Sequence, residues 1–175
     1  MTQTAASSIH LRNWADGDFP LLEKLLGDPE MTQYIGGAET HAHLIERQER
    51  FVKLTDPLIA QMYVIVFDSE DVGSVGYWET MHHCEQVYEM GWFVLPAFHG
   101  RGIAPKATLA ALANLRSVAQ HRFVHAFPPV VNTPSNAVCA KVGFSLIEEI
   151  EFEYPKGNFL RCNDWRLDLL EDKEP

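Results

Sequence analysis

Apolar and polar residues alternate through Ile9-His10-Leu11-Arg12-Asn13, the two-residue period of a strand. Leu21, Leu22, Leu25 and Leu26 then recur at helical spacing. Asp16 or Asp18 caps this predicted helix over 20–26, and Gly27-Asp28-Pro29 ends it. Residues 31–34 predict a short turn of helix, broken by Gly36-Gly37. Thr40 caps a longer helix to residue 53, with Leu44, Gln48, Phe51 and Val52 on one side. The apolar run 61–67 is β-rich, 69–71 reads as a turn, and 72–77 returns as the second arm of a hairpin. Residues 78–85 read as a polar connection and 86–94 as the third strand of this meander. An Ala-rich helix follows over 105–118, and its small side chains at Ala107, Ala110, Ala111 and Ala113 permit close docking on a sheet. A strand over 123–127 and a helix over 135–142, stopped by Gly143, come next. The chain closes with an antiparallel pair, 145–154 and 160–169, joined around Pro155-Lys156-Gly157. The order β-α-α-β-β-β-α-β-α-β-β predicts a mixed sheet with helices on both faces.

A length of 175 residues fits one domain, 1–175, with a sizeable core. The longest apolar runs are too short to span a membrane, and residues 1–8 have neither the basic start nor the apolar segment of a signal peptide. Cys84, Cys139 and Cys162 are odd in number and lack metal-like spacing, which points to a reducing compartment, the cytoplasm. A net charge of -10 argues against nucleic-acid binding. The charge is unevenly spread, however. From Met90 to Ile147 there is no Asp or Glu, while Arg101, Lys106, Arg116, Arg122 and Lys141 fall inside that window. A polyanionic ligand would be drawn to this stretch.

Within it, Glu89-Met-Gly-Trp-Phe-Val94 reads as a strand, His99-Gly-Arg-Gly102 as a glycine turn, and Ile103-Ala104-Pro105-Lys106 as a helix start. Glycines let backbone N–H groups crowd round a phosphate, and a helix N-terminus adds unpaired donors and a positive dipole end. The alternative for Gly100 and Gly102 is a plain tight turn; the helix that follows favours the cradle.

Together with Asn132-Thr-Pro-Ser135-Asn-Ala-Val-Cys139-Ala-Lys141-Val-Gly143-Phe144, this segment resembles the two signature segments of the GNAT superfamily of acetyl-CoA-dependent N-acetyltransferases. His99 stands where Gln or Arg is usual. Leu11-Arg12-Asn-Trp and the segment from Gly27 to Gly37 resemble the branch that acetylates the N-terminal alanine or serine of ribosomal proteins. The resemblance implies an α/β (α+β) fold, a mixed and mostly antiparallel sheet with helices on both faces. It also implies acetyl-CoA as co-substrate, a primary amine as acceptor, no metal, and action as a monomer or homodimer.

By that resemblance the backbone of His99, Gly100, Arg101, Gly102, Ile103 and Ala104 holds the phosphates, with Lys141 near them. A bulge splays the strand near Val94. The backbone of Phe93, Val94 and Leu95 pairs with the pantetheine arm, whose amides bond Asn132. Glu89 is the candidate general base, because a carboxylate in so apolar a strand is costly to bury and its pKa rises towards the useful range. A Glu at the strand's wet end paired with an Arg is the alternative. Many members carry a Tyr seven residues after the motif Asn to protonate the leaving thiolate. Here that position is Cys139, and Ser135 is the other candidate, although Ser135 also reads as a helix N-cap and Cys139 as a packed residue.

His82-His83-Cys84 looks like a metal cluster, but adjacent residues rarely converge on one ion, so no metal site is expected there. Glu149, Glu151 and Glu153 share one face of a late strand, where they are either solvated or a field for a cationic amine. Trp14, Trp78 and Trp165 read as packing residues. The favoured acceptor is a protein N-terminal amine. A polyamine, amino sugar or aminoglycoside is the alternative acceptor. A non-catalytic CoA-binding regulatory module is the alternative outside enzymes.

Overall fold

The computed structural model describes residues 8–171. Residues 1–7, most of the segment read for a signal peptide, lie outside the described residues, as do 172–175. The elements are β1 (Ile9–Asn13), a 3-10 turn (Asp16–Asp18), α1 (Phe19–Leu26), α2 (His41–Val52), β2 (Ala60–Phe67), β3 (Glu70–His82), β4 (Glu85–Val94), a second 3-10 turn (Pro96–Phe98), α3 (Ile103–Arg116), β5 (Phe123–Ala126), α4 (Thr133–Val142), β6 (Ser145–Glu153) and β7 (Phe159–Asp168). One seven-stranded sheet has the order β1-β2-β3-β4-β5-β7-β6. Every neighbouring pair is antiparallel except β4 with β5. Among the described residues, no helix is long and apolar enough to cross a membrane.

β2 shows why the run 62–67 lacks a polar alternate. Tyr63, Ile65 and Phe67 belong to a core that includes Ile103, Ala107, Ala111 and Leu115 of α3. Met62, Val64 and Val66 belong to a second core with Leu21, Leu22, Leu25 and Leu26 of α1 and Leu44 of α2. A strand buried on both faces reads as continuous hydrophobicity. Ala107 and Ala111 are fully buried, the close docking expected of small side chains. Trp14 and Trp78 pack in the second core and Trp165 against the first.

Three local expectations change. Residues 78–85 are not a connection. β3 runs on to His82 and turns through His83-Cys84, both at positive φ (47° and 62°), straight into β4. That turn lacks the Asn-Gly signal of a two-residue hairpin, and its flanking strand ends are polar because they are wet. Residues 31–34 form successive hydrogen-bonded turns rather than an assigned helix, with the buried Thr32 hydroxyl donating to the Asp28 carbonyl at 2.8 Å. The expected bulge in β4 is not there. Its register against β3 runs unshifted from Gly73↔Val94 to His82↔Glu85; register shifts lie instead in the β2–β3 ladder, where Val72 is passed over between Ile65 and Val66, and in the β6–β7 ladder between Leu146 and Glu148.

α2 begins as read. The Thr40 hydroxyl accepts the His43 N–H at 3.3 Å, satisfying one orphan donor. Thr40→Ala is expected to cost about 1 kcal/mol, a fall in Tm of about 2–4 °C by calorimetry, without changing activity.

Candidate active site

The sheet splits along the β4–β5 seam. These parallel strands pair only at Tyr88↔Val124 and Glu89↔His125. Beyond Glu89, β4 continues to Val94 bonded to β3 on one side alone, and its other edge opens into a cavity of about 790 Å³. That volume suits a large ligand with an extended arm. The splay comes from the shortness of β5, which ends at Ala126, and not from a bulge.

One end of the cavity is the glycine turn. Gly100 and Gly102 have φ of 75° and 71°, and Gly102 is the N-cap of α3. Lys106 N–H reaches the Gly102 carbonyl at 3.4 Å, so the amides of Ile103 and Ala104 precede the helical ladder. His99, Gly100, Gly102, Ile103, Ala104 and Lys141 all line the cavity. His99 Nε2 lies 2.6 Å from the Val94 carbonyl oxygen. A carbonyl only accepts, so Nε2 carries the proton and donates. His99 thereby ties the turn to the end of β4. The exposed Arg101 lies outside the lining, its guanidinium 5.3 Å from the Phe98 ring centroid and 5.9 Å from that of Phe67.

The middle of the cavity holds Glu89, Phe93, Val94, Asn132 and Ser135. Leu95 is outside the lining, its N–H bonded to the Val72 carbonyl at 2.8 Å. Burial pushes the Glu89 carboxyl up to about 7, against the opposing pull of a hydrogen bond from Trp78, its cross-strand partner. Among the described residues no ion pair compensates it, contrary to the Arg-paired alternative. Ser135 is not the cap. Asn132 is, its side-chain oxygen accepting the Ser135 N–H at 3.2 Å. Ser135 therefore sits in the first turn of α4, at the cavity wall. Cys139 is fully buried outside the lining, and burial pushes its thiol up to about 12.

The far end draws on residues 16–53 and the late hairpin, the segments expected to carry acceptor specificity, and on the chain after β5, although none of these lining residues stands out in the sequence. Glu30, Met31, Gln33, Tyr34 and Ile35 come from the turns after α1, Phe127 and Pro129 from the chain after β5, and Phe152, Tyr154, Leu160 and Cys162 from the β6–β7 pair. The Tyr154 hydroxyl accepts from Arg47 of α2 at 3.0 Å, and Arg47 also pairs with Glu39. Tyr34 and Tyr154, aromatics among turn residues, were the available signal. The acidic row on β6 is on the other face. Phe152 and Tyr154 reach the cavity, whereas Glu149 pairs with Arg161 and Glu153 accepts the Gly157 N–H at 2.8 Å. The carboxylates that line the cavity are Glu30 and Glu89.

A sequence profile described as an acetyltransferase (GNAT) domain matches residues 8–145, most of the chain. Comparison with curated proteins by sequence gives no match. Solved structures share the fold. An acetyltransferase from Salmonella typhimurium that modifies the N-terminal serine of ribosomal protein L7/L12 superposes with TM-score 0.77 at 20% identity, over 92% of this chain and 95% of that one. The aminoglycoside acetyltransferase AAC(6')-Ib, in complex with coenzyme A, gives 0.72 at 16%, over 92% and 95%. Spermidine N-acetyltransferase from Vibrio cholerae, in complex with CoA and spermine, gives 0.74 at 14%, over 92% and 95%.

Proposed function

The chain belongs to the GNAT family of acetyl-CoA-dependent N-acetyltransferases, and from that premise we propose that it acts as a single domain on a cationic primary amine, a protein N-terminus being the favoured acceptor. One observation carries the reading: Glu89 lies uncompensated in the cavity, where the β4 edge comes free. The turn amides of residues 100–104 and Lys141 fit the phosphates of acetyl-CoA, and the open edge of Phe93 and Val94 fits its amide-bearing arm. Acetyl-CoA supplies the activated thioester. Glu89 takes the proton from the acceptor's ammonium, directly or through one water, and frees the lone pair for attack on the thioester carbon. The C–S bond breaks as the attacking nitrogen sheds its second proton, and the Ser135 hydroxyl passes a proton to the departing sulfur while regaining one from that nitrogen through water, so that the serine ends neutral. Cys139, buried away from the cavity, is left as packing.

Glu30 at the far end and Glu89 in the middle are the lining carboxylates, while the lining lysine, Lys141, belongs to the phosphate end, an arrangement that favours an ammonium at the acceptor end over an anionic group. The likeness of Leu11-Arg12-Asn13-Trp14 and of residues 27–37 to the ribosomal-protein branch favours a peptide N-terminus. The test is thiol release from acetyl-CoA with a panel of Ser- and Ala-initiated peptides, polyamines and aminoglycosides. Turnover of a peptide at a kcat/KM at least about tenfold above the others supports the reading. Preference for a polyamine or aminoglycoside replaces the acceptor. Coenzyme A binding without release under every acceptor leaves a non-catalytic module. Ser135→Ala is expected to lower kcat about three- to tenfold with little change in KM, measured by the same assay.

A further inference from the structure

The corner around the β3–β4 turn gathers more ligand-bearing side chains than acetyl transfer uses. Asp164 of β7 is 1% exposed and both of its oxygens face imidazoles: His82 Nε2 of β3 at 2.8 Å and His125 Nδ1 of β5 at 2.6 Å. The three ligand atoms lie within 4.8 Å of one another. A second set, His83, Glu148 of β6 and Asp164, meets the same limit, with His83 Nε2 at 3.2 Å from Glu148 Oε1. The His82 ring centroid is 4.1 Å from that of His83 and 4.8 Å from that of His125. No pair among His82, His125 and Asp164 is near in sequence. The adjacent histidines that argued against a site turn out to be joined by residues from three other strands.

We propose that this corner binds one divalent transition-metal ion of the zinc class, with His82 Nε2, His125 Nδ1 and the Asp164 carboxylate as ligands and His83 or Glu148 completing the shell. Two imidazoles and a carboxylate suit that class, and Asp164 with Glu148 balance a dication. Zinc ligands at about 2.0–2.1 Å in a tetrahedron stand about 3.3 Å apart, so the His82 contact opens by about 0.5 Å and the His125 contact by about 0.7 Å. The imidazoles give up these bonds by moving a proton to the other ring nitrogen.

The location gives the ion a task. β4 and β5 share only two paired residues, and the cavity opens from that seam. His82 lies on the β3–β4 side of it, while His125, Asp164 and Glu148 lie on the β5–β7–β6 side. An ion here staples the halves of the sheet beside Glu89.

The test uses untagged protein stripped with a chelator and then titrated with zinc chloride by calorimetry and by thermal melting. One equivalent is expected to bind, and for a Kd of about 1 μM the Tm at 100 μM zinc rises by about 5 °C or more. His82→Gln retains an amide donor for Asp164 but is a poor zinc ligand. It is therefore expected to melt near wild type without metal, while zinc affinity falls at least about 100-fold, beyond the 10- to 100-fold loss typical of an outer-shell change. Absence of heat and of a melting shift in the wild type overturns the proposal and leaves the His–Asp–His bonds as packing. Undiminished zinc affinity in both His82→Gln and His125→Gln overturns it equally, since the ion then sits elsewhere.

Discussion

Glu89→Gln is expected to lower kcat by about 10²- to 10³-fold while coenzyme A affinity, measured by calorimetry, stays within about twofold. Glutamine keeps the shape and the Trp78 contact but cannot take a proton. The pH dependence identifies the cause. With the Glu89 carboxyl at about 7, wild-type kcat/KM rises about tenfold per pH unit below that value and levels above it. The residual activity of the variant lacks this break. Stability carries the opposite sign. Folding raises the pKa from 4.5 to about 7, so the native state holds this proton more tightly than the unfolded chain. The associated stability is complete below about 4.5 and is lost as pH climbs through 7. Removing the charge therefore helps the fold at alkaline pH. At pH 8 the variant is expected to gain about 1–2 kcal/mol, discounted because the carboxyl faces an open cavity. A variant both inactive and more stable marks a group held in its place for chemistry. Equal loss of activity and stability would point to a packing role and overturn the assignment as base.

Gly102→Val is expected to weaken coenzyme A binding by about 5- to 30-fold. At φ 71° a β-branched residue is strained by about 1–2 kcal/mol. In the free protein the turn relaxes away from this strain, and binding has to restore it, so the cost falls on affinity. Calorimetric titration with coenzyme A measures the loss, and thermal melting shows a smaller fall because the turn is exposed at the sheet's end. Gly102→Asn, a side chain that tolerates the left-handed region, should recover most of the affinity. Unchanged binding in Gly102→Val would move the phosphates off this turn.

These two predictions differ in how far the sequence alone carries them. The glycine turn is legible because its conformation is local. Left-handed glycines and a helix start are set by a few consecutive residues, and the amides that result point where the backbone points. The layered order of strands and helices was legible for a similar reason, since periodicity reports which faces are buried. β3 was cut short because polar residues at a wet strand end have the composition of a loop.

What depends on pairs distant in sequence had to wait for the tertiary structure. Ser135 reads as a cap until Asn132 takes that bond, which leaves its hydroxyl at the cavity wall. The backbone of Arg101 belongs to the glycine turn, whereas where its guanidinium goes, over Phe98 and Phe67, is a tertiary contact. The acidic stripe on β6 reads either as a solvated face or as an acceptor field, and its alternation places it on the solvated side, away from the cavity. The value near 7 at Glu89 reflects how much water the surrounding walls displace, a property of strands, turns and helices assembled together. Tyr34, Phe127, Phe152, Tyr154 and Leu160 line the far end of the cavity although no spacing connects them, because only the folded sheet brings them to one seam. The amino-acid sequence thus determined the anion cradle and the layer order, which follow from neighbours along the chain. The tertiary structure decided the far wall of the cavity, the place of Ser135 beside it and the His82–Asp164–His125 corner, which follow from contacts that chain order does not record.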